Sequence, residues 1–148
     1  MSNANALSFE TPIRVRDACL CLHLQRAARA VARRFDEALR PLGVTSGQFS
    51  LLMALNRPEP PSIGRVAAVL AMDRTTLTAN LKPLVRRGLV EITVDAVDRR
   101  SHRLLLTAAG RSLLEKALPV WRQEHDAIER QLGGGDPDRL RAELRALC

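Results

Sequence analysis

The sequence is poor in aromatic residues, which make up 3% of its 148 residues, and it contains no tyrosine. A core with so few aromatic rings must be built from Leu, Ala and Val, which favours helices over a β-sandwich. No run of about 18 uncharged apolar residues occurs, so we expect no membrane span. The first ten residues carry neither a basic start nor an apolar stretch, and they predict no secretory signal.

Cysteine is also scarce, with three residues in the chain. Cys19 and Cys21 are too close for a comfortable disulfide, so we expect reduced thiols and a cytoplasmic location. These two cysteines alternate with His23, but side chains two positions apart on a helix point roughly 200° apart. They can therefore share a metal ion only if residues 19–23 are extended, and we expect no metal site.

The motifs of several enzyme classes are missing from the sequence. It contains no His-Glu-x-x-His, no phosphate-binding glycine loop and no nucleophile elbow. The glycine run Gly133–Gly135 follows a predicted helix rather than a strand, so it predicts the end of that helix and not a phosphate-binding loop. We therefore expect a protein that is not an enzyme and that carries no cofactor.

Positive charge is abundant and unevenly distributed. The chain has a net charge of +7 and an isoelectric point near 10.8. Residues 61–110 hold 8 basic and 4 acidic residues, whereas residues 111–148 hold 7 of each. A basic middle segment favours an anionic partner, with nucleic acid first and an acidic membrane surface second. An ordinary arginine-rich solvated surface is the alternative.

Hydrophobic periodicity predicts a mainly helical chain with one β-hairpin. Caps and breakers bound these elements, because Thr45, Ser62, Asp73, Thr107 and Asp136 are suitable helix N-caps. The predicted elements are a long helix over 13–40, short helices after Thr45 and Ser62, a helix over 74–87, strands over 89–94 and 103–106, a helix over 108–132 with a kink at Pro119, and a last helix after Asp136. Three regions follow: 1–40, 41–110 and 111–148.

The helix over 74–87 has the pattern of a DNA-reading helix. A helical wheel places Leu77, Leu81, Leu84 and Val85 on a buried side. Small polar side chains and basic side chains occupy the opposite face, as base readout and phosphate contact require. The predicted base contacts are Thr75, Thr76 and Ala79, and the predicted phosphate contacts are Arg74, Lys82 and Arg86. An ordinary amphipathic helix is the alternative, although three threonines in one turn are poor helix formers.

The hairpin that follows has a basic tip containing Arg99, Arg100, His102 and Arg103. Such a loop suits the narrow, electronegative minor groove of DNA, into which an arginine can be inserted. A solvated hairpin tip without a partner is the alternative. Together the helix pair and the hairpin predict a winged helix-turn-helix.

The run from Asp95 to Gly110 resembles the wing signature of the MarR family. That signature is Asp-Pro-x-Asp-Arg-Arg followed by a strand ending in Leu-Thr-x-x-Gly, and Ala96 stands here in place of the proline. Similarity extends to residues 42–49, to residues 84–90, and to the order of helices over 13–147.

The resemblance implies a homodimeric bacterial transcriptional regulator, usually a repressor, that binds a pseudo-palindromic operator. The first helix and the last two helices would form the dimer interface. By the same resemblance, Arg100 enters the minor groove, Asp73 pairs with that arginine and Asp98 braces the wing. A helical protein-interaction module that binds no DNA is the alternative from a different class.

The resemblance also suggests how the protein is regulated. Most members release DNA when a small aromatic or phenolic ligand enters a cleft, and the candidate lining residues here are His23, Arg26, Met53 and Trp121. The spacing from Cys21 to Thr45 is similar to that of members in which the cysteine senses organic peroxides. The tyrosines of those members are replaced here by Gln25 and Phe35, so an inert buried Cys21 is the alternative.

Overall fold

The computed structural model describes residues 7–148, so the first six residues of the region 1–40 lie outside it. It confirms a mainly helical chain with a two-stranded hairpin. Within these residues no helix is both long and apolar enough to cross a membrane. The elements are α1 (Thr11–Ala18), α2 (Leu20–Leu39), a 3₁₀ turn (Arg40–Leu42), α3 (Ser46–Ala54), α4 (Ile63–Val69), α5 (Arg74–Arg86), β1 (Val90–Val94), β2 (His102–Leu106), α6 (Ala108–Gln131) and α7 (Pro137–Arg145).

The prediction of one helix over 13–40 is wrong, because the helix is interrupted at Cys19 and two helices form. This residue is extended, with φ −73° and ψ 108°, and its thiol accepts a hydrogen bond from the amide of Leu22. Cys19 therefore ends α1 and caps α2. No glycine or proline marks the break, so hydrophobic periodicity alone runs straight through it.

The predicted N-caps are confirmed. Thr45 and Gln48 form a capping box at the start of α3, in which each side chain accepts from the other residue's amide. The side chains of Ser62, Asp73 and Thr107 each accept an amide hydrogen bond at the start of α4, α5 and α6. Asp136 caps α7 in the same way. Local sequence thus fixes where most of the helices begin.

The hairpin is antiparallel and tied to the linker before α4. Val90 pairs with Leu106, and the register continues to Val94 opposite His102. The amide of Leu104 donates to the carbonyl of Pro61 at 2.9 Å, so β2 also holds the proline-rich linker. The wing is therefore attached directly to the segment that enters the helix-turn-helix.

The hydrophobic core lies beneath α5 and the hairpin. Its fully buried side chains are mainly leucines from different elements, among them Leu39, Leu52, Leu77, Leu81, Leu84 and Leu104. Val85 was expected on the same buried side, but it is 37% exposed, because the core meets only the Leu77–Leu81–Leu84 line. The helices α5 and α6 continue through Pro83 and Pro119, each of which lies inside its helix.

Candidate nucleic-acid interface

The N-terminus of α5 is held by the side chain of Asp73. One carboxylate oxygen accepts from the amide of Thr76 at 2.8 Å, and the other accepts from the Thr76 hydroxyl at 2.9 Å. These two hydrogen bonds lower the pKa of Asp73, with the amide bond contributing most. The hydroxyl of Thr78 turns back to the carbonyl of Arg74 at 2.8 Å. Thr76 therefore has its proton engaged, and its oxygen remains available as an acceptor.

The face of α5 opposite the core is exposed along its whole length. Leu77, Leu81 and Leu84 are at most 1% exposed, so this line fixes the rotation of the helix about its axis. The outer face carries short side chains near the start of the helix and cations near its end. Its exposed members are Arg74, Thr75, Thr76, Ala79, Lys82 and Arg86.

Arg74 also covers part of the preceding helix. A side chain at Gly64 would approach the Arg74 guanidinium within 2.8 Å, so the arginine lies over this glycine of α4. The small residue at position 64 thus allows the two helices of the pair to approach closely. The guanidinium is held beside α4, close to the N-terminus of α5.

The wing loop is organised by Asp95. Its Oδ1 accepts from the amides of Val97 at 2.8 Å and Asp98 at 3.1 Å, while its Oδ2 accepts from Arg103 Nε at 2.5 Å. The amides of Asp98 and Val97, followed by the Arg103 guanidinium, lower the pKa of Asp95 to about 2. Asp95 was not among the residues predicted to support the wing. Its position at the end of a strand, before a turn, was the available signal.

Arg103 joins the wing to the linker. Besides binding Asp95, it donates from Nη1 to the carbonyl of Pro60 at 3.1 Å. The sequence predicts Arg103 at the basic tip with Arg99 and Arg100, but its guanidinium binds Asp95 and the linker at the base of the loop instead. Arg103 lies within β2 and pairs with Thr93, whereas Arg99 and Arg100 lie in the loop between the two strands.

The tip of the wing presents Arg99 and Arg100 to solvent. Asp98 Oδ1 accepts from the amide of Arg100 at 3.0 Å, which orients the backbone at the tip. Among residues 7–148, no ion pair joins Asp73 to Arg100, the pair that the family resemblance implied. The Asp73 carboxylate instead binds both donors of Thr76.

The four candidate effector residues lie in two different environments. His23 and Arg26 line an open groove on α2, and a ring nitrogen of His23 donates to the carbonyl of Cys19 at 2.8 Å. Met53 and Trp121 pack against the hydrophobic core. Trp121 lies 4.6 Å from His125, 6.1 Å from Phe49 and 6.4 Å from Phe35, measured between ring centroids. Trp121 and His125 lie four positions apart on α6, so their contact follows from helical spacing, whereas the contacts with Phe35 and Phe49 join different helices and could not be read from spacing.

In the single chain Cys21 is exposed rather than buried. Cys19 is half-buried and Cys148 is exposed. Cys21 and His23 are helical and only Cys19 is extended, which leaves the condition for a shared metal site unmet. The described part of the chain holds no group of three or more His, Cys, Asp or Glu side chains placed to bind a metal ion.

A helix pair whose second helix is exposed on its polar face, followed by a hairpin with a basic tip, defines a winged helix-turn-helix protein. The MarR family model matches residues 42–101, which cover this helix pair and most of the wing. The chain belongs to the MarR family of transcriptional regulators.

Two solved structures share the fold over most of the chain. The M. tuberculosis transcriptional regulator MosR, in complex with DNA, is 40% identical, with a TM-score of 0.77 over 87% of this chain and 92% of MosR. The transcriptional repressor CouR, bound to p-coumaroyl-CoA, is 28% identical, with a TM-score of 0.79 over 90% of this chain and 94% of CouR.

Curated relatives agree on the class of protein over a shorter span. The transcriptional activatory protein BadR of Rhodopseudomonas palustris is 31% identical over 99 residues, which are 65% of this chain and 57% of BadR. The chain spans between 51% and 59% of the first three curated relatives that it matches. The activity and partners of the whole protein are therefore matters of proposal.

Proposed function

We propose that this chain is a sequence-specific DNA-binding transcriptional regulator, acting in the cytoplasm, that inserts α5 into the major groove. The observation that carries the proposal is the exposed polar face of α5, which the buried leucine line holds outward. Thr75, Thr76 and Ala79 are the proposed base contacts because they are short and lie near the start of the helix. Arg74, Lys82 and Arg86 are the proposed phosphate contacts.

The wing supplies the second part of the proposed DNA contact. Asp95 and Arg103 fix the base of the loop, so Arg99 and Arg100 extend from an anchored support. An arginine presented in this way suits the minor groove next to the site of the reading helix. MosR, which shares the fold, forms a complex with DNA, and this supports DNA binding by the present chain.

Homodimer formation is part of the proposal, because one reading helix recognises few base pairs and a two-fold dimer reads a pseudo-palindrome. Apolar side chains near both ends of the chain support it. Ile13 and Val15 of α1 are 51% and 52% exposed, and Leu140 and Leu144 of α7 are 40% and 39% exposed. Such residues are suited to burial against a second copy.

Replacing Arg100 tests the proposed wing contact. We expect Arg100→Ala to weaken binding to the operator by at least about 1 kcal/mol, because it removes a groove contact. The measurement is a salt-titrated fluorescence anisotropy assay on operator and scrambled duplexes of equal length. Arg122→Ala, at an exposed arginine of α6, is the matched control for loss of one positive charge.

The same assay separates the proposal from the alternative of a protein-interaction module. A DNA-binding regulator is supported by specific binding in which the logarithm of the binding constant falls linearly with the logarithm of the salt concentration. Equal affinity of Arg100→Ala and wild type for the operator would contradict the wing assignment. Equal weak affinity for both duplexes would favour the protein-interaction module.

We further propose that a small aromatic or phenolic ligand relieves DNA binding and that the outcome is repression. CouR is a repressor and binds an aromatic acyl thioester, which supports both parts, whereas BadR is an activatory protein. The test is to add a series of hydroxybenzoates to the protein–DNA complex and to a promoter-reporter strain. Loss of binding together with a rise in reporter output is expected. A fall in output on release of the protein would indicate activation.

Exposure of the Cys21 thiol favours a second candidate function, the sensing of organic peroxides. A sensor thiol must be accessible to the oxidant, and Cys21 meets that condition. The experiment compares wild type with Cys21→Ser in the same DNA-binding assay after treatment with cumene hydroperoxide. Release of DNA by the wild type but not by the variant supports the sensor, and an equal response of both excludes it.

A further inference from the structure

Two neighbouring arginines at the C-terminal end of α5, Arg86 and Arg87, are both exposed but differ in what they contact. Neither takes part in an ion pair among residues 7–148. Arg86 lies on the outer face of α5, whereas Arg87 Nη1 donates a hydrogen bond to the carbonyl of Gly43 at 2.7 Å. This bond joins the end of the reading helix to a segment 44 positions earlier in the chain.

The acceptor, Gly43, lies in the connection between α2 and α3, residues 40–45. Its φ of 68° is in the left-handed region, which glycine adopts without strain. A Cβ atom at this position would lie 3.4 Å from Arg87 Nη2, so the guanidinium covers the glycine closely. Leu39 and Val44 on either side are buried in the core, so the carbonyl that Arg87 binds has a fixed place.

The same connection is bound by a side chain of α2. Asp36 Oδ1 accepts a hydrogen bond from the amide of Ser46 at 2.7 Å. This amide belongs to the first residue of α3, so it has no partner within its own helix. The connection is therefore held by Asp36 of α2 at one end and by Arg87 of α5 near its middle. Together these bonds join the reading helix to a helix of the proposed dimer interface.

We propose that Arg87 is a positioning residue for operator recognition. Its hydrogen bond to Gly43 fixes the angle between α5 and α2, and it thereby restricts the half-site separation that the dimer accepts. This proposal rests on the proposed DNA binding through α5 of a homodimer. It assigns Arg87 no contact with DNA, in contrast to its neighbour Arg86.

The length of α5 shows why a bond at its C-terminal end matters for the base contacts at the other end. The helix has 13 residues and is therefore about 20 Å long. A rotation of about 10° about its C-terminal end moves the start of the helix by about 3.5 Å. Successive base pairs are about 3.4 Å apart along the DNA axis. A small change in angle thus displaces Thr75 and Thr76 by about one base pair.

A direct phosphate contact is the other role open to an exposed arginine at this place, and the two roles have different signatures. A phosphate contact strengthens binding at every half-site separation and makes binding more dependent on salt. A positioning residue changes the preference among separations and leaves the salt dependence unaltered. The comparison of Arg87 with Arg86 therefore separates the two roles.

The experiment measures fluorescence anisotropy on three duplexes that carry the inverted repeat selected by the wild-type protein. One has the selected spacer, and the others have a spacer one base pair shorter or longer. We expect the wild type to bind the altered duplexes at least about tenfold more weakly, because one half-site is then out of register. Arg87→Gln, whose side chain is shorter, should reduce this preference to below about threefold. Arg87→Lys keeps a charged donor and should restore most of the preference.

Arg86→Gln is the matched control, because it removes the same charge from the adjacent position. It should weaken binding to all three duplexes by the same factor and make the salt dependence less steep. The preference for the selected spacer should remain at the wild-type value. Thermal unfolding of both glutamine variants, followed by circular dichroism, shows whether the fold is retained, and a loss of folded protein would lower all three affinities equally.

The angle itself is measured on the full chain without DNA. Residual dipolar couplings of backbone amides give the orientation of α5 relative to α2. This orientation should change in Arg87→Gln and return to the wild-type value in Arg87→Lys. The measurement does not depend on DNA binding, so it separates a failure of this inference from a failure of the proposed function.

Three results would overturn the inference. The first is a wild-type preference for the selected spacer in Arg87→Gln. The second is an equal loss of affinity for all three duplexes with a shallower salt dependence, which would make Arg87 a phosphate contact. The third is an unchanged angle between α2 and α5 in Arg87→Gln. A wild type that selects no duplex would contradict the proposed function and with it the role of Arg87 in operator recognition.

Discussion

At the scale of single residues, Asp95 shows how one carboxylate can organise a loop that carries function. Its side chain is 10% exposed and binds two loop amides and one guanidinium. The sequence motif predicts this aspartate at the start of the turn, but its hydrogen-bond partners are seen only in the folded chain. A residue in a turn has many local acceptors and donors within reach, so spacing alone does not select among them.

The lowered pKa of Asp95 predicts an acid-dependent wing. Since the pKa is about 2 in the folded chain and 3.8 ordinarily, the ionised carboxylate stabilises the folded loop. This stabilisation is complete above about pH 4 and is lost as the pH falls through about 2. An NMR titration of the Val97 and Asp98 amides should show a midpoint near 2, and the transition should be missing in Asp95→Asn.

Glu91→Gln provides the control for this titration, because Glu91 is an exposed acid on β1 that lies outside the loop. Its amide profile should match that of the wild type. A midpoint at the ordinary value of 3.8 in the wild type would show that the Asp95 hydrogen bonds do not persist in solution.

At the scale of elements, the sequence predicts the starts of helices better than it predicts breaks within them. Thr45, Ser62 and Thr107 have side chains that satisfy nearby amides, so their capping role follows from local chemistry. The break at Cys19 depends on a thiol acceptor that no standard cap pattern includes. Likewise, the exposure of Val85 depends on which neighbours reach α5, and periodicity carries no such information.

Thr107 provides a prediction at this scale, because it joins two elements. Its oxygen accepts from the amide of Gly110, and its hydroxyl donates to the carbonyl of Gly88 at 2.6 Å. We expect Thr107→Ala to lower the free energy of unfolding by about 0.5–2 kcal/mol, as for other N-cap losses. Urea denaturation followed by circular dichroism is the measurement.

Thr107→Ser is the matched variant, since it keeps the hydroxyl and loses only a methyl group. It should recover most of the stability that Thr107→Ala loses. If both variants unfold at the wild-type urea concentration, the cap contributes nothing measurable.

Gly110 allows the start of α6 to pack closely against the segment before β1. A Cβ atom at this position would lie 2.3 Å from the carbonyl oxygen of Leu89.

At the scale of the whole molecule, the exposed apolar residues of α1 and α7 predict assembly. A helical wheel places Leu140, Leu144 and Leu147 on one side of the C-terminal segment, and all three are exposed in the single chain. We expect Leu144→Asp to shift the protein from dimer to monomer, because it places a charge in the proposed apolar contact. Sedimentation velocity across a range of protein concentrations measures the change.

Ala142→Asp introduces the same charge on the opposite side of α7, roughly 200° away from Leu140 on the wheel. It should remain a dimer. A wild-type protein that sediments as a monomer at all concentrations would contradict the proposed assembly. Equal dissociation by both variants would show that added charge on α7, rather than the leucine line, controls association.

The most direct test of the whole account is selection of bound duplexes from a random-sequence DNA library with the full chain. A dimer that reads two successive major grooves through α5 should enrich an inverted repeat with half-site centres about 10 bp apart, or one helical turn. The same selection with Arg100→Ala should retain the repeat at lower affinity. Enrichment of no sequence, or of a single motif without an inverted partner, would contradict the account.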